Sequence, residues 1–598
     1  MRKILGHSFH IPVMGTGFTV DTPAKVAHLG ISSVISIVDD LLLEKMRELY
    51  CKKLSLPFSP ITEKTKDFRA ERITSYLNLM DKVVKKKFDN LKTSIQETKE
   101  DFEEYLDLLP DFSEVKKEFK AKFEGRSYLK EAKEWLVNNL PLGAIDVNIM
   151  TKLDKDNYYQ GEKLPVEYND AHAALRGFAM SNLRSSMVLS AGMNPRLYSY
   201  LEQFDDFYPD KNGYIHKKIV LKVSDYRSAL IQGKFLAKKG IWVSEFRVES
   251  GLNCGGHAFA TEGYLMGPIL EEFKENREEL RSTLFEILQA ALEAKGKICP
   301  KTELEIKLTA QGGVGTAEEQ EFLMDHYDLD SIGWGSPFLL VPETCDVDKE
   351  TLQLLEEAKE KDLTLSHASP LGVRFNNLLG NSRDRDVLER FANNKSGSAC
   401  TKKYMLSNTE FTEKPICTAS IQYHKLKLAD LKSKNLPQKE YDKEVSLLLE
   451  KTCLCKGLSA ASFLVNGIDT GADGDGVSIC PGPNLAYFSR TAKLKEMIDH
   501  IYNRTNLIQR KDRPNLFIKE MTLYIDYLKE QIDELQNPAA KQIKSLQKFK
   551  TNLLNGVEYY KNLSENLNVK FKNMQDQVTN NLDKLEIEIE RLLIPSLK

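Results

Sequence analysis

Residues 305–316 run Glu305-Ile306-Lys307-Leu308-Thr309-Ala310-Gln311-Gly312-Gly313-Val314-Gly315-Thr316, and residues 331–336 run Ser331-Ile332-Gly333-Trp334-Gly335-Ser336. Each stretch opens as a short strand and closes in a glycine turn, and a helix is expected from Ala317. Adjacent glycines let backbone N–H groups approach an anion closely, and the helix start adds a positive dipole end. A single Gly-Gly pair is equally well explained as a tight bend. Two such turns on successive parallel strands form the phosphate site of many (β/α)₈ barrels.

The same rhythm extends toward the N-terminus. Strands are expected at His10–Met14, Ile31–Val38, Ala144–Ile149, Ser186–Ser190, Lys218–Val223, Trp242–Glu249, Glu305–Ala310 and Ser331–Trp334, with helices between most of them. Strand alternating with helix implies a parallel sheet with right-handed crossovers. The fold class is therefore α/β, a TIM (β/α)₈ barrel. Residues 60–138 are rich in Lys and Glu with apolar residues at helical spacing, and read as a helical insertion with a solvated face. Residues 346–395 read as helical around a polar turn at Ser366–Gly372, and residues 396–490 as irregular and rich in cysteine. Residues 491–598 read as long amphipathic helices such as Phe517–Leu535 and Ile543–Leu563, free to pack on the barrel, pair with themselves or bind a partner. The organisation expected is a barrel with insertion over 1–345, a cysteine-bearing segment over 346–490 that completes the barrel, and a helical tail over 491–598.

The chain has 598 residues, is 41% hydrophobic and 29% charged, and carries a formal net charge of -3. That balance gives no electrostatic reason to expect nucleic acid. No apolar core of signal-peptide length follows Met1-Arg2-Lys3, and no stretch reaches the roughly 18 uninterrupted apolar residues of a spanning helix. A cytoplasmic protein without a membrane partner is expected. Nine cysteines in such a compartment are thiols or metal ligands rather than disulfides.

Two further turns carry chemistry. Ser250-Gly251-Leu252-Asn253-Cys254-Gly255-Gly256-His257 follows a strand, and a histidine beside two glycines can project into a pocket for general acid–base work. A surface turn histidine accounts for it equally well. Ile11-Pro12-Val13-Met14-Gly15-Thr16-Gly17-Phe18 ends the first strand in a small turn that either sits under a flat cofactor or simply reverses the chain.

In their order and spacing these motifs, together with Asp146-Val147-Asn148-Ile149-Met150, resemble the nitronate monooxygenase family and its relatives, the FMN-dependent enoyl reductases of fatty-acid and polyunsaturated fatty-acid synthesis. The resemblance covers roughly residues 5–50 and 140–345. It implies that Met14, Gly15 and Asn148 lie against the flavin and that Gly255 and Gly256 border it. It further implies that Lys222 approaches the ring or the phosphate side. Gly312, Gly313, Gly335 and Ser336 would hold the FMN phosphate, and His257 would be the catalytic acid or base. The substrate would be a small molecule or an acyl group on a carrier. Two departures stand out: Asn253-Cys254 replaces the family's Glu-Ala before Gly-Gly-His, and Gly335-Ser336 replaces Gly-Thr. An oxygen-dependent nitronate monooxygenase, and a scaffold that binds partners or a second copy through its helical tail, stay open as alternatives.

Cys400, Cys417, Cys453, Cys455 and Cys480 each sit in a turn-like context. Thiolate ligands of a metal centre favour irregular backbone whose N–H groups can bond the sulfurs. A [4Fe-4S] cluster and a set of reduced structural thiols both fit. No Cys-x-x-Cys pair is present, which weakens a zinc reading. Asp469-Thr470-Gly471-Ala472-Asp473-Gly474-Asp475-Gly476 lacks an oxygen ligand at its third position and a Glu at its twelfth, so it reads as an exposed turn rather than a calcium loop.

Overall fold

The computed structural model describes residues 4–123, 125, 129–151, 153–190, 192–253, 255–258, 262–535, 538–565 and 571–595; Cys254 of the histidine turn lies outside them. Eight parallel strands close into a barrel: β1 (Phe9–Ile11), β2 (Ser32–Ser36), β3 (Ile145–Ile149), β4 (Ser186–Leu189), β5 (Lys218–Val223), β6 (Val243–Glu249), β7 (Lys307–Gln311) and β8 (Ser331–Gly333). β8 pairs back onto β1 through Phe9↔Ile332 and His10↔Gly333, which closes the ring. All eight expected strands are present, with ends shifted by a few residues at most.

Alternation along each strand decides what fills the barrel. Val34, Val188 and Val220 point inward and form a small apolar plug with Val13. The pairings Val34↔Asp146 and Val220↔Glu245 put Asp146 and Glu245 on the same inward face. Arg247 lies one step higher, bonded to Glu245 at 2.7 Å, and Thr309 Oγ1 donates to Glu245 at 2.6 Å. The lower barrel is therefore a closed polar network, and the opposite strand faces carry the large apolar core under the helices.

The insertion between β2 and β3 is helical as expected: Phe68–Glu97, Lys99–Leu108, Glu114–Phe123 and Leu129–Asn139. The first of these packs on the helix Asp170–Ala179, where Gly177 leaves Ile73 room that a Cβ would fill at 2.8 Å. Its far end has a separate core of Ile95, Phe102, Tyr105, Leu109, Val115, Ala132 and Leu136.

The middle of the chain corrects the sequence reading twice. Residues 346–395 hold an antiparallel hairpin, β9 (Leu363–Ser366) with β10 (Phe375–Leu378), around the polar turn. Its strands are four residues each, too short for periodicity to mark. Residues 396–490 contain three helices, Ile421–Ser433, Gln438–Glu450 and Leu454–Val465. The last is buried on nearly every side, so it lacks the polar stripe that identifies a surface helix. The Asp469–Gly476 turn is only partly exposed: Asp473 lies 3.5 Å from Lys402 and 3.6 Å from Lys456.

The tail forms helices Leu494–Ile501, Leu516–Asp533, Ala540–Glu565 and Lys572–Arg591, and it packs on the barrel. Among the described residues no helix is long and apolar enough to cross a membrane.

Candidate functional site

The C-terminal ends of the barrel strands gather the expected residues. The uppermost inward positions are Asn148 on β3, Lys222 on β5, Glu249 on β6 and Gln311 on β7, as the registers Asn148↔Val188, Lys222↔Arg247 and Glu249↔Gln311 require. Lys222 Nζ pairs with Glu249 Oε2 at 2.9 Å, and Gln311 Nε2 donates to Glu249 Oε1 at 2.7 Å. These two charged side chains keep 16% and 19% exposure, so solvent reaches the barrel mouth. Glu249 was not singled out in the sequence; its signal is a carboxylate at the last inward position of a strand.

Met14 and Gly15 follow β1. Met14 is buried and its N–H donates to Thr19 Oγ1, while Gly15 has φ +53° and leaves no space for a Cβ against the Phe18 ring. Two buried polar atoms beside this turn, Asn148 Oδ1 and Thr16 Oγ1, have no hydrogen-bond partner among the described residues. An unmet buried acceptor and an unmet hydroxyl on one rim suit a polar ligand that reaches both.

On the opposite rim, Gly312 and Gly313 have φ +103° and +82°, conformations that favour glycine. A Cβ on Gly312 would meet the Asn253 backbone at 2.8 Å, and one on Gly313 would meet Leu252 at 2.5 Å. Their amides donate to no backbone group of the described residues. Gly335 and Ser336 stand beside them at the end of β8, and the Ser336 hydroxyl accepts from Gly482 N–H at 2.7 Å.

The helix after this turn corrects the sequence reading. Its start is capped from within: Glu319 accepts from the amides of Gly315 (2.9 Å) and Thr316 (3.2 Å), and Thr316 Oγ1 accepts from Glu319 N–H. Arg513 of the tail pairs with that carboxylate at 2.7 Å and donates to the Gly313 carbonyl at 3.0 Å. The dipole end expected to serve a phosphate already holds the chain's own anion. The glycine amides are what remain for an external one.

His257 lies on the loop after β6. Its Nε2 is 2.6 Å from Ser369 Oγ, and its ring meets Phe375 edge-on at 5.0 Å. The loop is stitched to the hairpin: Asn376 N–H donates to Gly256 O, Ala258 N–H donates to Arg374 O, and Asn253 Oδ1 accepts from Gly255 N–H and Asn376 Nδ2. Ser369 is buried and its hydroxyl also accepts from Leu371 N–H. A surface turn would have none of this. The hairpin that sequence reading missed is the piece that orients the histidine.

The five cysteines divide. Cys480 stands apart from the rest: its thiol faces the amides of Gly15 and Gly256, and burial pushes it up to about 12. It belongs to the barrel mouth, as part of a Cys480–Asn484 strap. Gly255 would strike the Cys480 carbonyl with a Cβ at 1.9 Å, and Asn484 Nδ2 donates to Val314 O. Cys400, Cys417, Cys453 and Cys455 form a group of their own. A hydrogen bond from the Cys417 thiol holds Cys400 down at about 7 and raises Cys417 in turn. Cys400 and Cys453 are both near enough to Cys455 to raise it, although burial does most of this.

No protein-family profile matches the chain, and no curated protein matches it. Among solved structures it is similar to the enoyl reductase domain of MlnA from the macrolactin biosynthesis cluster of Bacillus amyloliquefaciens, at 17% identity over 62% of this chain and 83% of that one, with a TM-score of 0.32. It is also similar to a nitroalkane oxidase from Streptomyces ansochromogenes, at 10% identity over 84% and 96%, with a TM-score of 0.35. Scores of this size support no statement about activity or cofactor.

Proposed function

We propose that this chain is an FMN-dependent oxidoreductase acting on a small organic or acyl-thioester substrate, with His257 transferring the substrate proton. The observation that carries the reading is the glycine cradle. Gly312 and Gly313 present amides without a backbone partner among the described residues, beside Gly335 and Ser336, where barrels of this class hold phosphate. The rest of the rim fits a flat, polar-edged group: Met14 and Gly15 would lie against it, and Asn148 Oδ1 offers an unmet acceptor.

When bound, the flavin supplies hydride or electron exchange, which no side chain offers. The chain's part is to bind, orient and move a proton. Gly312, Gly313, Gly335 and Ser336 would hold the phosphate through amides and a hydroxyl, and Gly255 and Gly256 would border the ring. Glu249 fixes the Lys222 ammonium at the mouth, where it would steady negative charge on the ring or substrate. Ser369 fixes the His257 ring, so that a proton is held or released at a set place above the mouth.

The test is an absorption spectrum of the purified protein together with the His257→Ala variant. Flavin bands should be present in both. Reduction of an enoyl thioester by reduced nicotinamide should be lost in the variant, because it removes a proton-transfer group and no phosphate contact. Protein without flavin would overturn the reading in favour of a scaffold. Oxygen-dependent turnover of a nitronate, with no enoyl reduction, would replace the proposed substrate class.

A further inference from the structure

We propose that Cys400, Cys417, Cys453 and Cys455 bind a [4Fe-4S] cluster, seated behind the loop that holds His257. The four thiols come from three separate segments that the fold draws together. Ser398 pairs with Ser420 in a parallel bridge, through Ser398 N–H to Ala419 O and Ile421 N–H to Ser398 O, which sets Cys400 against Cys417. Lys402 Nζ donates to Ser459 Oγ at 2.8 Å, one turn beyond Cys455 on the buried helix, which sets the first segment against the third.

The backbone at these thiols is tightly turned: Lys456 N–H donates to Cys453 O at 3.2 Å and Ser420 N–H to Cys417 O at 2.9 Å. Turned backbone of this kind is where metal-bound thiolates sit. The surroundings are closed and charged. The side chains of Lys402, Lys456 and Arg383 are 2%, 4% and 4% exposed, and all three face the thiol group. Each already has a carboxylate partner, Lys402 in Asp39 and Asp473, Lys456 in Asp473 and Arg383 in Asp386, so the site is closed by ion pairs. Arg383 Nε has no hydrogen-bond partner among the described residues, although it is buried.

The spacing disfavours a single tetrahedral ion. A tetrahedral thiolate site with metal–sulfur bonds of about 2.3 Å holds its sulfurs roughly 4 Å apart. Among the described residues, no three of these four sulfurs lie within 4.8 Å of one another.

The position gives the site a consequence. The 366–372 turn is bonded to two of the three ligand segments: Thr452 N–H donates to Ala368 O, and Thr418 Oγ1 donates to Pro370 O. Between those two carbonyls stands Ser369, the partner of His257. Filling the site would therefore stiffen the turn that orients the histidine. The helix that starts at Leu454 goes on to seat Leu458 O on Gly17 N–H, at the turn after β1.

The experiment is metal analysis of the full chain purified without oxygen. About four irons and four labile sulfides per chain are expected, with loss of iron in Cys453→Ser/Cys455→Ser and retention in Cys480→Ser. The flavin-deficient Gly313→Val protein should also retain iron, so this site and the flavin reading fail separately. One zinc without iron would overturn the cluster, and so would a metal-free protein whose four thiols all react with a thiol reagent. Loss of iron in Cys480→Ser, in protein with unchanged circular dichroism, would overturn the ligand set.

Discussion

Asp146 offers a test of the barrel interior that needs no substrate. It faces inward on β3, two residues before Asn148, and its Oδ1 accepts from Ser186 N–H at 2.8 Å. Burial pushes its carboxyl from 3.8 up to about 6, a shift that Arg247 only partly offsets. A carboxyl that is harder to ionise in the fold than in the unfolded chain binds its proton more tightly when folded. Its penalty is therefore absent below pH 4, grows as the unfolded form ionises, and levels off above pH 6. The difference corresponds to about 1.5 kcal/mol at pH 5 and about 3 kcal/mol at pH 8. Asp146→Asn keeps an oxygen for the Ser186 amide and removes the charge. The variant should therefore be more stable than the parent at pH 8, with the gap narrowing by about half at pH 5. Urea denaturation of both proteins at the two pH values measures this. Equal stability at pH 8, or a gap that widens on acidification, would refute the argument and show that Arg247 carries the charge without penalty.

Three further outcomes follow from the site. Gly313→Val should expel flavin, because φ +82° disfavours a β-branched residue and the Cβ would press on Leu252; a normal flavin-to-protein ratio would place the phosphate elsewhere. Ser369→Ala should leave flavin content unchanged and lower turnover about tenfold, the loss of one hydrogen bond that sets His257, with kcat affected more than KM; unchanged kcat would remove Ser369 from the mechanism. Glu520→Ala removes a buried carboxylate that accepts from Ser250 Oγ, Gly251 N–H and Met266 N–H, and should cost about 3 kcal/mol of stability. An unchanged urea midpoint in that variant would mean that the tail does not hold the β6 loop.

The sequence made the barrel legible because each strand is an apolar run closed by a glycine turn, and because those turns fall in the order that β1, β6, β7 and β8 require. The turns at His257 and Gly312-Gly313 were readable for the same reason: local backbone geometry marks them. What was hidden depends on distance in the chain. Ser369 lies 112 residues from the histidine it orients, and Glu319 meets Arg513 across 194. No local pattern announces such pairs, and Glu319 looked like an ordinary residue in a helix's first turn. Cys480 looked like a fifth ligand because it too sits in a turn-like stretch, Cys480-Pro481-Gly482-Pro483. Only the fold shows that its thiol faces Gly15 and Gly256.

The loop after β6 shows why the added segments govern the site as much as the barrel does. A bare barrel would leave Ser250–His257 as a mobile turn, since its glycines supply no side chains of their own to pack. Here that loop is gripped from three sides. Glu520 of the tail takes the Ser250 hydroxyl and the Gly251 amide, the hairpin pairs with Gly256 and Ala258, and the Cys480 strap lies on Gly255. The hairpin turn is in turn bonded to the segments that carry Cys417 and Cys453. The proposed proton transfer needs His257 held near one geometry, and a loop held by three independent elements loses that geometry if any one of them moves. The tail and the cysteine-bearing segment are therefore supports of the histidine, and their substitutions should affect turnover before they affect flavin binding.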